Sequence, residues 1–129
     1  MFKRLVVWVR PKRRRITLAS KLRYQEHAPE ARRLVQARVA VFSEIYGVKV
    51  GRISIRNQGT RWGSCSRAGN LNFNYRLALI DPDLADYVIV HEICHLLEFN
   101  HSPAFWSLVA QTMPDYRLRR RALKSIKMQ

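Results

Sequence analysis

Three of the four histidines in this chain lie within one short window, from His91 to His101. On an α-helix, residues four apart lie on the same face, because four residues advance by roughly 400°. His91 and His95 can therefore bind one metal ion. Glu92 lies about 100° around the helix from His91, where its carboxylate can reach a water on that ion. This arrangement is typical of a zinc hydrolase.

The residues around these histidines distinguish the helix from a chance occurrence of the same pattern. The pattern also arises in ordinary helices whose imidazoles are satisfied by other partners. Here residues 87–90 and 96–97 are apolar, so apolar side chains cover nearly every face of the helix. We therefore expect this helix to be buried. Unpaired imidazoles and a carboxylate are unfavourable when buried, and a metal ion removes that penalty. His101 is the third predicted ligand, because a helix ending near Phe99 can turn the chain back through Asn100 in the left-handed conformation.

The length and the cysteine content predict a single domain in a reducing compartment. A chain of 129 residues is large enough for one modest core. Its apolar runs are too short to span a bilayer. The apolar residues 5–9 precede the basic residues 12–15, which is the reverse of a secretory signal. Cys65 and Cys94 do not make a disulfide framework. We therefore expect a cytoplasmic protein.

The chain is strongly basic. Lys and Arg number 24 against 9 Asp and Glu, for a formal net charge of +15. The excess is concentrated in residues 10–15 and 117–127. Such a field attracts polyanions, so non-specific binding of nucleic acid through the basic termini is one hypothesis. The other hypothesis is that the basic residues form a solvated surface that binds no partner.

The pattern upstream of the histidines predicts one helix and a small antiparallel sheet. Residues 29–46 carry a broad apolar face and end before Gly47, which favours an amphipathic helix with a glycine stop. Residues 52–56 and 70–77 alternate as half-buried strands do. Residues 60–66 lie between them, and the turn residues that follow predict a hairpin between the second and third strands.

Three further helices follow from capping signals. Asp81 and Pro82 are an N-cap and a first-turn proline for the histidine-bearing helix. Ser102 and Pro103 are likewise an N-cap and a first-turn proline, and they predict a second helix. A last basic helix is predicted after Pro114, through Ile126.

Five strings together resemble the YgjP-like metallopeptidase family, which is related to the SprT-like proteases. They are TRWGSCS, NLNFNYRL, DYVIVHEICHL, NHSPAFW and MPDY, in this order over about residues 22 to 125. The resemblance implies a compact zincin-like α+β domain, with the small sheet packed on helices. It implies zinc held by His91, His95 and His101, and Glu92 as the general base. We therefore divide the chain into a short basic segment, residues 1–21, and a metallopeptidase domain, residues 22–129.

Three functions remain open at this point. Three neutral imidazoles leave one position on a tetrahedral zinc for water, which favours hydrolysis of peptide bonds in a protein or peptide substrate. The same water could serve a metal-dependent hydrolase of nucleotides or other phosphorylated small molecules. The third hypothesis is a nucleic-acid-associated protease or binding module of the SprT-like kind. Glu92 argues against pure binding, because a binding module needs no carboxylate beside the ligands.

Three other side chains are weaker candidates for the edge of the cleft. Trp62 lies either at the edge of the cleft or in the core, and we favour the core. Tyr116 either donates a hydrogen bond to the oxyanion of the reaction or only packs against other side chains. Arg61 either pairs a substrate carboxylate or caps a carbonyl.

Overall fold

The chain folds into helices that surround a small sheet. The computed structural model describes residues 16–128. Within this range the elements, in chain order, are α1 (Leu18–Tyr46), β1 (Ile53–Arg56), β2 (Gly63–Cys65), β3 (Leu71–Asn74), a 3₁₀ helix (Tyr75–Leu79), α2 (Pro82–Cys94), α3 (Pro103–Thr112) and α4 (Tyr116–Lys124). The predicted α+β class is confirmed.

The sheet has the strand order β1-β3-β2, with β3 at its centre. The predicted hairpin is confirmed, because β2 and β3 pair antiparallel, with Gly63 opposite Phe73. β1 pairs with β3 in parallel, with Ile53 opposite Leu71, so the prediction of a wholly antiparallel sheet is wrong. Alternation of apolar residues determines which face of a strand is buried, but it carries no information on the direction of its neighbour.

β3 is shorter than the predicted strand over residues 70–77. After Asn74 the chain enters the 3₁₀ helix, where the Asn74 side chain accepts a hydrogen bond of 3.0 Å from the backbone N–H of Arg76. Tyr75 and Leu77 are nonetheless buried, each 1 % exposed. Their apolar character therefore indicated burial correctly, but not the strand.

α1 begins eleven residues before Pro29, at Leu18. Thr17 caps it by accepting a hydrogen bond of 3.1 Å from the backbone N–H of Ser20. Tyr24 then anchors the first turns, because its hydroxyl donates to the carbonyl of Ile55 at 3.1 Å. These contacts keep residues on both sides of the proline helical despite the missing N–H. The predicted stop at Gly47 is confirmed, with φ of 66°.

The buried face of α1 is narrower than predicted. Its buried residues are Ala31, Val35, Val39 and Phe42. Val41 and Ile45 fall within the apolar face predicted over residues 29–46, but they are 43 % and 58 % exposed.

The division of the chain into a basic segment, residues 1–21, and a metallopeptidase domain, residues 22–129, stays a prediction.

α2 runs through the centre of the molecule. Every residue from 87 to 95 is at most 1 % exposed, which confirms the predicted burial for this part of the chain. Leu97, which we also expected to be buried, is 46 % exposed because the helix ends at Cys94. Asp81 caps it as predicted, accepting from the backbone N–H of Asp83 at 2.8 Å. Arg38 on α1 holds Asp86 on α2 through two hydrogen bonds of 2.9 Å. This bidentate pair fixes α2 against the longest helix.

The ends of the later helices differ in part from the predictions. α2 ends at Cys94 rather than near Phe99, and α4 ends at Lys124 rather than Ile126. α3 begins as predicted, where the Ser102 hydroxyl accepts from the backbone N–H of Phe105 at 3.3 Å. Among the described residues, no helix has the length and apolarity needed to cross a membrane.

Candidate metal centre

The three predicted ligands meet at one point. The Nε2 atoms of His91 and His95 are 3.1 Å apart, those of His95 and His101 are 3.0 Å apart, and those of His101 and His91 are 3.2 Å apart. His91 is buried on α2, His95 is buried as the C-cap residue of α2, and His101 lies on the exposed segment before α3. This cluster could hold a divalent metal ion.

The turn that carries His101 back to the cluster is made differently from the prediction. Among the residues that the structure describes, only Gly47 and Gly69 have positive φ, so the predicted left-handed Asn100 is wrong. The chain instead tightens at the end of α2, where the backbone N–H groups of Leu97 and Glu98 both donate to the Cys94 carbonyl, at 3.0 and 2.9 Å. The Leu97 bond spans three residues, as in a 3₁₀ turn, and the Glu98 bond spans four, as in an α-helix. Together they satisfy the Cys94 carbonyl at the helix end without a left-handed residue.

The tautomer of His95 is determined by a backbone carbonyl. Its Nδ1 lies 3.0 Å from the carbonyl oxygen of Glu98. Because a carbonyl oxygen only accepts hydrogen bonds, the proton of the neutral ring is on Nδ1. Nε2 therefore presents a lone pair to the cluster, which is the arrangement that orients a metal-binding histidine.

Aromatic rings from α3 and α4 enclose the imidazoles. Phe105 stacks on His95 with ring centroids 4.3 Å apart. Trp106 stacks on His101 at 5.8 Å, and Tyr116 stacks on Trp106 at 4.9 Å. His101, the exposed histidine, therefore packs on Trp106, which packs in turn on Tyr116.

Burial keeps the first histidine neutral. The pKa of His91 is held well below its ordinary value, first by burial and then by the charges of His95, His101 and Arg120. A metal-binding imidazole must be deprotonated at the nitrogen that binds. His91 meets this condition at neutral pH.

Glu92 is a buried carboxyl beside the cluster. It is 0 % exposed, and neither carboxyl oxygen has a hydrogen-bond partner among the described residues. Burial raises its pKa well above the ordinary value, and the charge of Arg61 opposes this effect. A buried carboxyl that forms no hydrogen bond is unfavourable for the fold, so its position calls for a reason other than stability.

Gly63 on β2 makes room for this carboxyl. A Cβ at position 63 would lie 3.1 Å from Cγ and 3.2 Å from Oε2 of Glu92. It would also lie 3.2 Å from the backbone carbonyl oxygen of Asn72 on β3. The close approach between β2 and α2 therefore favours a residue without a side chain at this position.

The three weaker candidates differ in their positions. Trp62 is 1 % exposed, so the prediction that it belongs to the core is confirmed. Tyr116 is half-buried and stacks on Trp106. Arg61 is half-buried, and its charge acts on Glu92. The roles of Tyr116 and Arg61 stay predictions.

The sequence reasoning missed Gly63, Phe105, Trp106 and Arg120. A signal existed for the two aromatic residues, because they occupy the first turn of a helix that begins directly after His101. Gly63 and Arg120 reach the site only through packing of β2 and α4 on α2, which the local pattern does not show.

Comparison with known proteins agrees with this architecture. A search of curated protein sequences gave no match. The crystal structure of the metallopeptidase zymogen of Pyrococcus abyssi abylysin superposes with a TM-score of 0.63 at 19 % identity, covering 69 % of this chain and 90 % of that one. This likeness shows the fold. The sequence model of the YgjP-like metallopeptidase domain matches residues 8–126. The resemblance seen in the five strings is thus confirmed, and the chain belongs to the YgjP-like metallopeptidase family.

Proposed function

We propose that this protein is a zinc-dependent metallopeptidase in which His91, His95 and His101 bind the metal and Glu92 is the general base. Membership of the family supports a metallopeptidase with a divalent metal. The observation that carries the assignment of residues is the convergence of three Nε2 atoms beside a buried carboxyl with no hydrogen-bond partner among the described residues.

The donor set fits zinc. Tetrahedral ligands about 2.05 Å from a zinc ion lie about 3.3 Å from one another. The three Nε2 atoms are 3.0 to 3.2 Å apart, which requires almost no rearrangement. Three neutral nitrogens leave one coordination position open, and structural zinc sites more often use thiolates and a fourth protein ligand.

The neighbouring thiol does not belong to this set. Cys94 is buried, and burial raises its pKa to about 12, while its side chain hydrogen bonds with Tyr46. A thiol with so high a pKa is a poor source of thiolate. We therefore leave Cys94 out of the ligands.

Bound zinc supplies a water of lowered pKa, toward about 7, and a positive charge that polarises the substrate carbonyl. Glu92 accepts the proton of the attacking water on a carboxylate oxygen and then donates it to the leaving nitrogen. Gly63 keeps space for that carboxylate, which is fully buried. The products are a new carboxylate and a new amine.

Nucleic acid is a second candidate partner. The basic residues 13–15 lie outside the described residues. Residues 117–121 of α4 are described, and Arg117 and Arg121 are exposed on its surface. Such a surface favours non-specific binding to phosphates. The alternative activity, hydrolysis of nucleotides or other phosphorylated molecules, has support only from this charge.

A cytoplasmic location is also part of the proposal. Cys65 and Cys94 are both free and buried, and neither forms a disulfide. Free thiols persist most readily in a reducing compartment.

The test compares the zinc-loaded wild type with Glu92→Gln, using casein as the substrate. Glu98→Gln is the matched control, because Glu98 contributes its backbone carbonyl rather than its side chain to the site. We expect Glu92→Gln to keep one zinc per chain and lose hydrolysis, and Glu98→Gln to keep both. Wild-type turnover by Glu92→Gln would exclude Glu92 as the base, and loss of zinc would give it a structural role instead.

A further inference from the structure

Arg120 places a positive charge at the edge of the metal centre. It lies one helical turn after Tyr116 on α4, so the two side chains share a face. Tyr116 stacks on Trp106, and the Arg120 guanidinium carbon lies 5.5 Å from the Trp106 ring centroid. The same indole lies 5.8 Å from the rings of both His91 and His101. The guanidinium and two of the three imidazoles therefore contact the same indole.

This charge has no acidic partner in the described part of the chain. Arg119, its neighbour, is paired with Asp115 at 3.1 Å and donates to the Asp83 carbonyl at 2.9 Å. Arg38 is paired with Asp86. Arg120 forms no ion pair with residues 16–128. Glu92, the acidic group in the centre, is fully buried and forms no ion pair with Arg120. Arg120 is therefore a cation at the edge of the centre that has no acidic partner among residues 16–128.

The charge of Arg120 reaches the centre. The guanidinium carbon of Arg120 lies over the Trp106 ring, which contacts His91 and His101. Trp106 supports the guanidinium by a cation–π contact, which holds the flat group over the ring. A guanidinium held in this way presents its N–H groups as a fork that matches a carboxylate.

We propose that Arg120 is a specificity-determining residue that binds a carboxylate of the peptide substrate within two residues of the scissile bond. This inference rests on the proposed peptidase function. An extended peptide advances about 3.3 Å per residue, so two residues from the cleaved carbonyl span about 7 Å. The indole that contacts Arg120 lies 5.8 Å from the rings of His91 and His101, which is within that reach. The carboxylate is either an acidic side chain or a free C-terminus of the substrate, since both present the same group.

The test measures binding separately from hydrolysis. The zinc-loaded Glu92→Gln protein is titrated by calorimetry with four alanine-based peptides. One pair differs by Glu against Gln at a single internal position, and the other by a free against an amidated C-terminus. Each titration is repeated after adding Arg120→Gln or, as the matched control, Arg121→Gln, an exposed arginine of the same helix.

We expect one carboxylate peptide to bind at least tenfold more tightly than its amide counterpart, the range typical of a charge-assisted hydrogen bond. Arg120→Gln should remove this difference and Arg121→Gln should keep it. The pair that shows the difference identifies the source of the carboxylate. Equal binding of acid and amide, equal losses in the two arginine variants, or no binding of any peptide at millimolar concentration would each overturn the inference.

The same experiment gives a different result if the proposed peptidase function is wrong. If the wild type does not hydrolyse any of the four peptides or casein, yet the carboxylate preference persists and depends on Arg120, then the site binds acidic peptides without cleaving them. If hydrolysis occurs at equal rates on acid and amide peptides, the peptidase assignment stands and the role of Arg120 is wrong.

Discussion

Glu92→Met should make the metal-free protein more stable. Glu92 is 0 % exposed, and both carboxyl oxygens lack a hydrogen-bond partner among the described residues. A buried polar group left unsatisfied costs about 1 to 3 kcal/mol. Methionine is also unbranched and of similar length, so it fills the same space, at a shape penalty of about 1 kcal/mol. The difference between these two terms is a net gain of up to about 2 kcal/mol in the free energy of unfolding.

Thermal unfolding of the metal-free proteins measures this gain. For a chain of this length, 1 kcal/mol corresponds to about 3 to 5 °C in Tm. Chelator is present throughout, because an ion bound to the native state would add its own stabilisation. Glu92→Gln should change Tm less than Glu92→Met, since an amide also stays unsatisfied. Glu98→Gln, at a half-buried position, controls for loss of negative charge from this basic protein.

A Tm for Glu92→Met below that of the wild type by more than about 3 °C would refute the reasoning. That result would mean that the carboxyl is satisfied in solution and contributes to the fold. The expected result would instead show that the chain keeps a destabilising group where a reaction needs it, as functional sites commonly do.

Four other outcomes follow from the same structure. Zinc should bind with a stoichiometry near one, and chelation should lower Tm by an amount that grows with the initial free zinc concentration; a Tm indifferent to chelator would exclude the metal centre. Trp106→Ala should weaken zinc affinity about tenfold, as measured by competition with a chromophoric chelator, while Trp106→Phe keeps most of it; equal losses would argue against ring stacking as the cause. Gly63→Ala should lower kcat about tenfold without loss of zinc, because the new methyl group displaces the Glu92 carboxylate; an unchanged rate would show that the carboxylate adapts. Fluorescence anisotropy should detect salt-sensitive, sequence-independent oligonucleotide binding that weakens when the arginines in 13–15 and 119–121 become glutamine, and no complex at low salt would remove nucleic acid as a partner.

Features encoded by neighbouring residues were predictable from the sequence. The spacing of His91 and His95 determines a shared helix face whatever the rest of the fold, and the structure brings their Nε2 atoms to 3.1 Å. The caps at Asp81 and Ser102 involve side chains and backbone groups within three residues. The hairpin between β2 and β3 depends on turn residues that lie between its own strands.

Features decided by distant packing were not predictable in this way. The parallel direction of β1 depends on how the chain between β1 and β3 packs, which the alternation within β1 does not encode. α1 continues through Pro29 because Tyr24 is held by Ile55, a residue far along the chain. Arg120 borders the metal centre only because α4 packs on α2 and Tyr116 of α4 stacks on Trp106 of α3.

The three imidazoles also differ in how long each can hold an ion. His91 and His95 lie on a buried helix, whose opening requires a large part of the free energy of global unfolding, whereas His101 lies on an exposed segment before α3. Exposed segments open far more often than buried helices. We therefore expect a bound ion to exchange through release of His101 while the other two ligands stay in place. The residence time of the metal would then be set by the short segment between α2 and α3 and by the stack of Trp106 on His101, and not by the lifetime of the folded protein.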